Sequence, residues 1–127
     1  MTEARFALVV RFDGSFGIVD WPTEPVVGLN LLAQELNATC IAQLGLWPCV
    51  SMWVGADAAP GTAPLNRFAE RIHGASGYDV RHYYGTAVLT GGLTGASTHT
   101  GLTLDRCHEL LKLASITAPA MPMQRTK

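Results

Sequence analysis

Arg67 and Arg71 stand four residues apart, with Glu70 between them and Asn66 just before. On a helix this spacing places both guanidinium groups on one face. Like charges so placed repel mildly, and Glu70 can offset the repulsion. The chemistry open to such a pair is capture of an anion or of an acidic partner, because each guanidinium offers a planar fork of donors. The competing structural reading, a solvated helix face with one ion pair, is the commoner outcome. Asn66 has two readings as well. A short polar side chain at a helix start can serve unpaired backbone donors, which comes first, or it can contact a ligand.

No other group of residues is spaced for chemistry. The four histidines, His73, His82, His99 and His108, form no HxH, HxxxH or HExxH pattern. His73 reads as a surface residue at a helix end and His108 as a helix flank. The three cysteines, Cys40, Cys49 and Cys107, contain no CxxC pair, so a zinc site is not expected. They read as reduced thiols, at least two of them on apolar faces. Gly91-Gly92-Leu93-Thr94-Gly95-Ala96-Ser97-Thr98 is glycine-rich but lacks the lysine of a phosphate loop, and reads as a connecting loop. Asp57 and Asp79 cannot be read as a catalytic pair from spacing alone. No GxSxG elbow occurs. The expectation is therefore no metal, no cofactor and no enzymatic activity. Trp21, Trp47 and Trp53 are each core or, where exposed, an interface anchor. Trp47 and Trp53 join Asn66, Arg67 and Arg71 as candidate binding residues.

The elements that must position these residues follow from hydrophobic spacing. Arg5 to Asp13 is apolar without interruption from Phe6 to Val10, as in a strand buried on both faces. Asp13-Gly14-Ser15 is a hairpin signal, and Phe16 to Trp21 is the return strand. Thr23 is the expected N-cap of a helix running to about Asn37, with Val26, Leu29, Leu32, Ala33 and Leu36 on its apolar face. Thr39 to Leu46 and Cys49 to Val54 are two further extended stretches, broken by Trp47-Pro48. Leu65, Phe68, Ala69 and Ile72 repeat with helical spacing, Leu65, Phe68 and Ile72 are expected to be buried, and Gly74 is the expected left-handed residue at the helix end. Tyr78 to Gly91 reads as a strand region. Thr103 caps a last helix whose apolar face is Leu104, Cys107, Leu110, Leu111 and Ala114.

The order is β-β-α-β-β-α-β-α. Strand pairs without an intervening helix favour antiparallel neighbours, so the fold class is α+β with a mainly antiparallel or mixed sheet and two to three helices. Residues 1–115 form a single domain and 116–127 a flexible C-terminal tail. A chain of 127 residues suits one domain. Apolar residues make up 48% and charged residues only 15%, so some apolar surface is expected to be covered by a partner or in a homodimer. The net charge of -1 argues against nonspecific nucleic-acid binding. No apolar run approaches a membrane span and no export signal is present, so the expected location is the cytoplasm.

The chain resembles the family known as domain of unknown function (DUF) 3846. The residues that carry the resemblance are Pro64-Leu65-Asn66-Arg67, Tyr78-Asp79-Val80, Tyr84-Gly85-Thr86-Ala87-Val88-Leu89-Thr90-Gly91 and Leu102-Thr103-Leu104-Asp105. They span most of the chain from about Pro25 to Ala114. The resemblance implies a phage or mobile-element protein and carries over no catalytic residue. Arginine outnumbering lysine seven to two suits a GC-rich genome. The leading expectation is a small non-enzymatic phage or mobile-element protein that binds a host protein, located in the host cytoplasm. Two alternatives stand beside it. One is a small-ligand-binding protein or enzyme using the groove near Asn66, Arg67 and residues 91–101. The other is a nucleic-acid-associated accessory protein.

Overall fold

The computed structural model describes residues 4–38, 40–46, 49–56, 58, 61–75, 82–92 and 100–114. The elements are β1 (Phe6–Val10), β2 (Phe16–Asp20), α1 (Pro25–Leu36), β3 (Ile41–Leu46), β4 (Val50–Gly55), α2 (Arg67–Ala75), β5 (Ala87–Gly91) and α3 (Leu104–Leu113). The strands make one sheet in the order β2-β1-β5-β4-β3, antiparallel at every pairing. This is an α+β fold in the element order read from the sequence. Tyr78-Asp79-Val80, Trp47, the 93–99 segment and the tail lie outside the described residues. Among the described residues of the Tyr78–Gly91 stretch, the strand β5 begins at Ala87.

The sheet is covered on both faces. Leu8, Val10, Met52, Val54 and Leu89 face Ala69, Ile72, Leu110 and Leu111 of α2 and α3. Ala7, Val9, Trp53 and Val88 face Leu32 of α1, with Trp21 and Leu36 packed alongside. The uninterrupted apolar run of β1 thus has a direct cause, since consecutive side chains point to opposite faces and both are buried. The β1–β2 turn is built by Asp13, whose Oδ1 accepts from Ser15 N at 2.9 Å and from Ser15 Oγ at 2.7 Å. Those two donors hold the Asp13 carboxyl below the usual carboxylate range. Gly14 supplies the positive φ, +88°, that the turn requires.

Several expectations need correction. Glu24, not Thr23, is the N-cap of α1, its side chain makes no capping bond, and Pro25 opens the helix at a position whose missing N–H needs no partner. The buried stripe of α1 is also rotated from the expected one. Gly28, Leu32 and Leu36 face the sheet, whereas Val26 is 68% and Leu29 53% exposed. The cause is Trp21. Its ring carbons lie 3.1 Å from where a Cβ on Gly28 would sit, so the helix turns its smallest residue toward the largest ring.

The third correction concerns Gly74, which stays inside α2 rather than following it. Nothing lies within 4 Å of a Cβ built there, and its φ is not positive. Gly74→Ala is therefore expected to raise stability by about 0.5–1 kcal/mol, the ordinary helical difference between the two residues. Urea unfolding checks this, and a loss of stability would mean that position 74 is not helical.

Ile72 is fully buried as expected, but Leu65 and Phe68 are only half-buried. The Phe68 ring lies against Gly14 on one side and under the Arg71 guanidinium on another, 5.4 Å from its centroid. Phe68→Ala should then cost about 2 kcal/mol, below the roughly 3–5 kcal/mol of a fully enclosed ring. Thermal unfolding of the variant reads this directly.

Of the cysteines, Cys107 alone is buried, while Cys40 and Cys49 are exposed, against the expectation of two on apolar faces. Burial pushes the Cys107 thiol up to about 11 from 9.0. A thiol reagent at neutral pH should modify two thiols of the folded chain quickly and the third only on unfolding. The sign for stability follows from linkage. Above pH 9.0 the unfolded chain loses this proton while the folded chain keeps it, so stability falls as pH rises toward about 11 and is unaffected by this group below.

Candidate functional site

The segment Pro64-Leu65-Asn66-Arg67 does not act alone. It pairs along its length with Tyr83-Tyr84-Gly85. Asn66 N donates to Tyr83 O at 2.7 Å, Gly85 N donates to Pro64 O at 2.7 Å, and Leu65 and Tyr84 form an isolated antiparallel bridge. Gly85 makes this possible with a φ of +80°. Two stretches separated by the whole of α2 are thereby held side by side.

Asn66 locks the junction. It is fully buried. Its Oδ1 accepts from Ala69 N at 3.0 Å, which caps the first turn of α2. Its Nδ2 donates to Val10 O at 3.1 Å and to Gly85 O at 2.8 Å. One amide therefore ties together the end of β1, the start of α2 and the approach to β5. It positions its neighbours and does not face solvent.

On the outer side of this junction Leu65, Arg67, Glu70, Arg71 and His82 line an open groove of about 370 Å³. Both arginines singled out by spacing are here. Arg71 is fixed: its Nη1 donates to Ala114 O at 3.1 Å, at the end of α3, and its guanidinium stacks over Phe68. Arg67 is exposed on the rim. Glu70 turns away from both. Its Oε2 lies 3.3 Å from His82 Nδ1 and accepts from Tyr83 N at 3.3 Å. The expected offset of the arginine pair by Glu70 is thus redirected to a histidine twelve residues on. Among the described residues Glu70 is the hydrogen-bond partner of His82, and no hydroxyl or thiol joins them.

A second cleft of about 290 Å³ opens on the other side of the same junction, between Asn37 at the end of α1, Gly55, Pro64 and the Tyr84–Thr86 stretch, with Phe12 at its mouth. Asn66 stands between the two clefts, since Pro64 and Gly85 line one while Leu65 and Arg67 line the other.

The remaining candidates are not brought together with these. Trp53 is a core residue, 8% exposed, and its Nε1 donates to the buried Thr90 Oγ1 at 2.9 Å. It is not available as a surface anchor. Trp47, Asp57, Asp79 and His99 fall outside the described residues. His73, expected at the surface, is buried edge-on against Tyr83 with ring centroids 5.3 Å apart. Spacing missed His82, because no local pattern relates it to Glu70. Among the described residues no three His, Cys, Asp or Glu side chains are placed to share a metal ion. No helix among them is long and apolar enough to cross a membrane. No protein-family model, curated protein or solved structure matches the chain.

Proposed function

We propose that this chain is a non-enzymatic phage or mobile-element protein that binds a host protein, taking an acidic segment of it into the groove along α2. The observation that carries this reading is the division of charge in the groove. Arg67 and Arg71 share one face, while the carboxylate on the same helix is engaged with His82 and Tyr83 N. The groove therefore presents two guanidinium groups, that of Arg71 held by Ala114 O and that of Arg67 exposed, to an incoming carboxylate, the pairing to which a planar fork of donors is suited. Its open form suits the side chains of a docked segment. The resemblance to the DUF 3846 family supplies the phage or mobile-element context and the host cytoplasm as the setting.

The test uses fluorescence anisotropy with labelled acidic, neutral and basic peptides of equal length. The acidic peptide should bind at least tenfold more tightly than the neutral one, with affinity falling as salt rises. Arg67→Glu with Arg71→Glu should abolish the preference. Equal binding of acidic and neutral peptides would remove the reading.

The Glu70–His82 pair supports a second reading, a small-ligand enzyme. A carboxylate that orients an imidazole is one half of a general-base arrangement. Turnover of an ester or phosphoester by the wild type, lost in His82→Gln, would place this reading ahead of the first.

A further inference from the structure

The two edges of the sheet are unlike. β2 carries Asp20, with Arg5 Nε 4.0 Å from its carboxylate. The Arg11 guanidinium lies 3.5 Å from where a Cβ on Gly17 would sit. Charges at such positions are how natural sheets keep an edge from pairing with another chain. β3 has no such guard. Its sequence, Ile41-Ala42-Gln43-Leu44-Gly45-Leu46, holds no charge and no proline. Among the described residues nothing pairs with its outer side.

The ladder fixes which backbone groups face outward. Ala56 N donates to Cys40 O at 2.8 Å, and the β3–β4 register continues from that pair through Ala42↔Val54, Leu44↔Met52 and Leu46↔Val50. Antiparallel partners alternate between bonded and unbonded pairs. Ala42, Leu44 and Leu46 therefore turn their N–H and C=O groups to β4. Ile41, Gln43 and Gly45 turn theirs away from the sheet.

We propose that this edge joins two copies of the chain, β3 running antiparallel to β3 of the second copy with Gln43 opposite the partner's Gln43. In this register all three outward residues of each copy pair, Ile41 with the partner's Gly45 and Gln43 with its equivalent. A shift of two residues in either direction leaves one outward residue of each copy without a bond. Shape favours the same register. A side chain at Gly45 would find nothing within 4 Å, so there is room for Ile41 of the other copy. On the opposite face Ala42 meets the partner's Leu44, a small residue beside a large one. No like charges are opposed in either row. The arrangement is two-fold and closes on itself. The guarded β2 edges stop further growth, so the assembly ends at two copies. This inference is independent of the groove on α2.

Sedimentation equilibrium on the full chain tests it. The wild type should show a concentration-dependent monomer–dimer equilibrium. Gln43→Pro removes an N–H that points outward and leaves the β3–β4 bonds intact, as edge strands tolerate. That variant should be monomeric with an unchanged circular dichroism spectrum. Gln43→Lys and Gln43→Glu should each be monomeric alone, because like charges would face each other across the two-fold, and should form a one-to-one dimer when mixed. A wild type that stays monomeric at about 1 mM, weaker than any useful affinity, overturns the proposal. So does a dimer that persists in folded Gln43→Pro, which would locate the contact elsewhere. If Gln43→Pro fails to fold, the charge pair decides: a Lys and Glu mixture that remains monomeric refutes the register.

Discussion

Asn66→Ala should lower the stability of the folded chain by about 2–4 kcal/mol, a large share of the stability of a marginal domain. The substitution removes the cap on Ala69 N, for which about 1 kcal/mol is typical. It also takes the Asn66 donor from Gly85 O, and from Val10 O, which keeps Ala87 N across the β1–β5 ladder. A carbonyl stranded in this way, here Gly85 O, costs about 1–3 kcal/mol. Asn66→Asp separates the two contributions. Aspartate caps a helix as well as asparagine does, but its carboxylate would face two carbonyl oxygens where the amide now donates. We expect Asn66→Asp to be nearly as damaging as Asn66→Ala in urea unfolding. A loss below about 1 kcal/mol, the scale of the cap alone, would show that the two donor bonds contribute little. Because Asn66 does not face the α2 groove, the fraction of either variant that folds should bind an acidic peptide as the wild type does.

Gly101→Ala should cost about 3 kcal/mol by forcing an overpacked junction apart. A Cβ at residue 101 would lie 2.7 Å from Arg5 C, Arg5 Cα and Phe6 N, all of them backbone atoms. No rotamer change can relieve such a contact. The chain would have to withdraw from β1, and with it the reciprocal bonds Phe6 N to Leu102 O at 2.9 Å and Leu102 N to Phe6 O at 2.6 Å. Those bonds fasten the residues just before α3 to the sheet. Gly45→Ala is the matched control, since a Cβ there meets nothing within 4 Å. Comparable losses at the two sites would mean that backbone flexibility, and not close approach, governs residue 101. Comparison of the two by thermal unfolding at low protein concentration keeps any self-association through β3 out of the measurement.

The element order was legible because the spacing signals are local. The unbroken apolar run of β1, the Asp13-Gly14-Ser15 turn and the Thr103 cap, whose hydroxyl accepts from Arg106 N at 3.1 Å, each depend on neighbours a few residues away. Arg67 and Arg71 could be placed on one helical face for the same reason. The structural reading of Asn66 was available from its position ahead of an apolar repeat, but only its first partner, Ala69 N, is local. Val10 O lies 56 residues away and Gly85 O 19 away.

What spacing could not supply were the relations between elements. The face α1 would bury was decided by Trp21 packing on Gly28, a contact between a strand end and a helix that no helical period encodes. Gly74 lies inside α2 and does not terminate it, a distinction that its neighbours in the sequence do not draw. Phe68 was half-exposed because its ring covers Gly14 at the edge of the core rather than filling the centre. Glu70 was expected to offset its arginine neighbours, and the fold instead brought it to His82 and Tyr83, groups delivered by the return of the chain toward β5. Local hydrogen bonding and hydrophobic period fix what each segment becomes. Which side chains meet is set by close packing between distant segments, and that is decided only when the sheet and its three helices assemble.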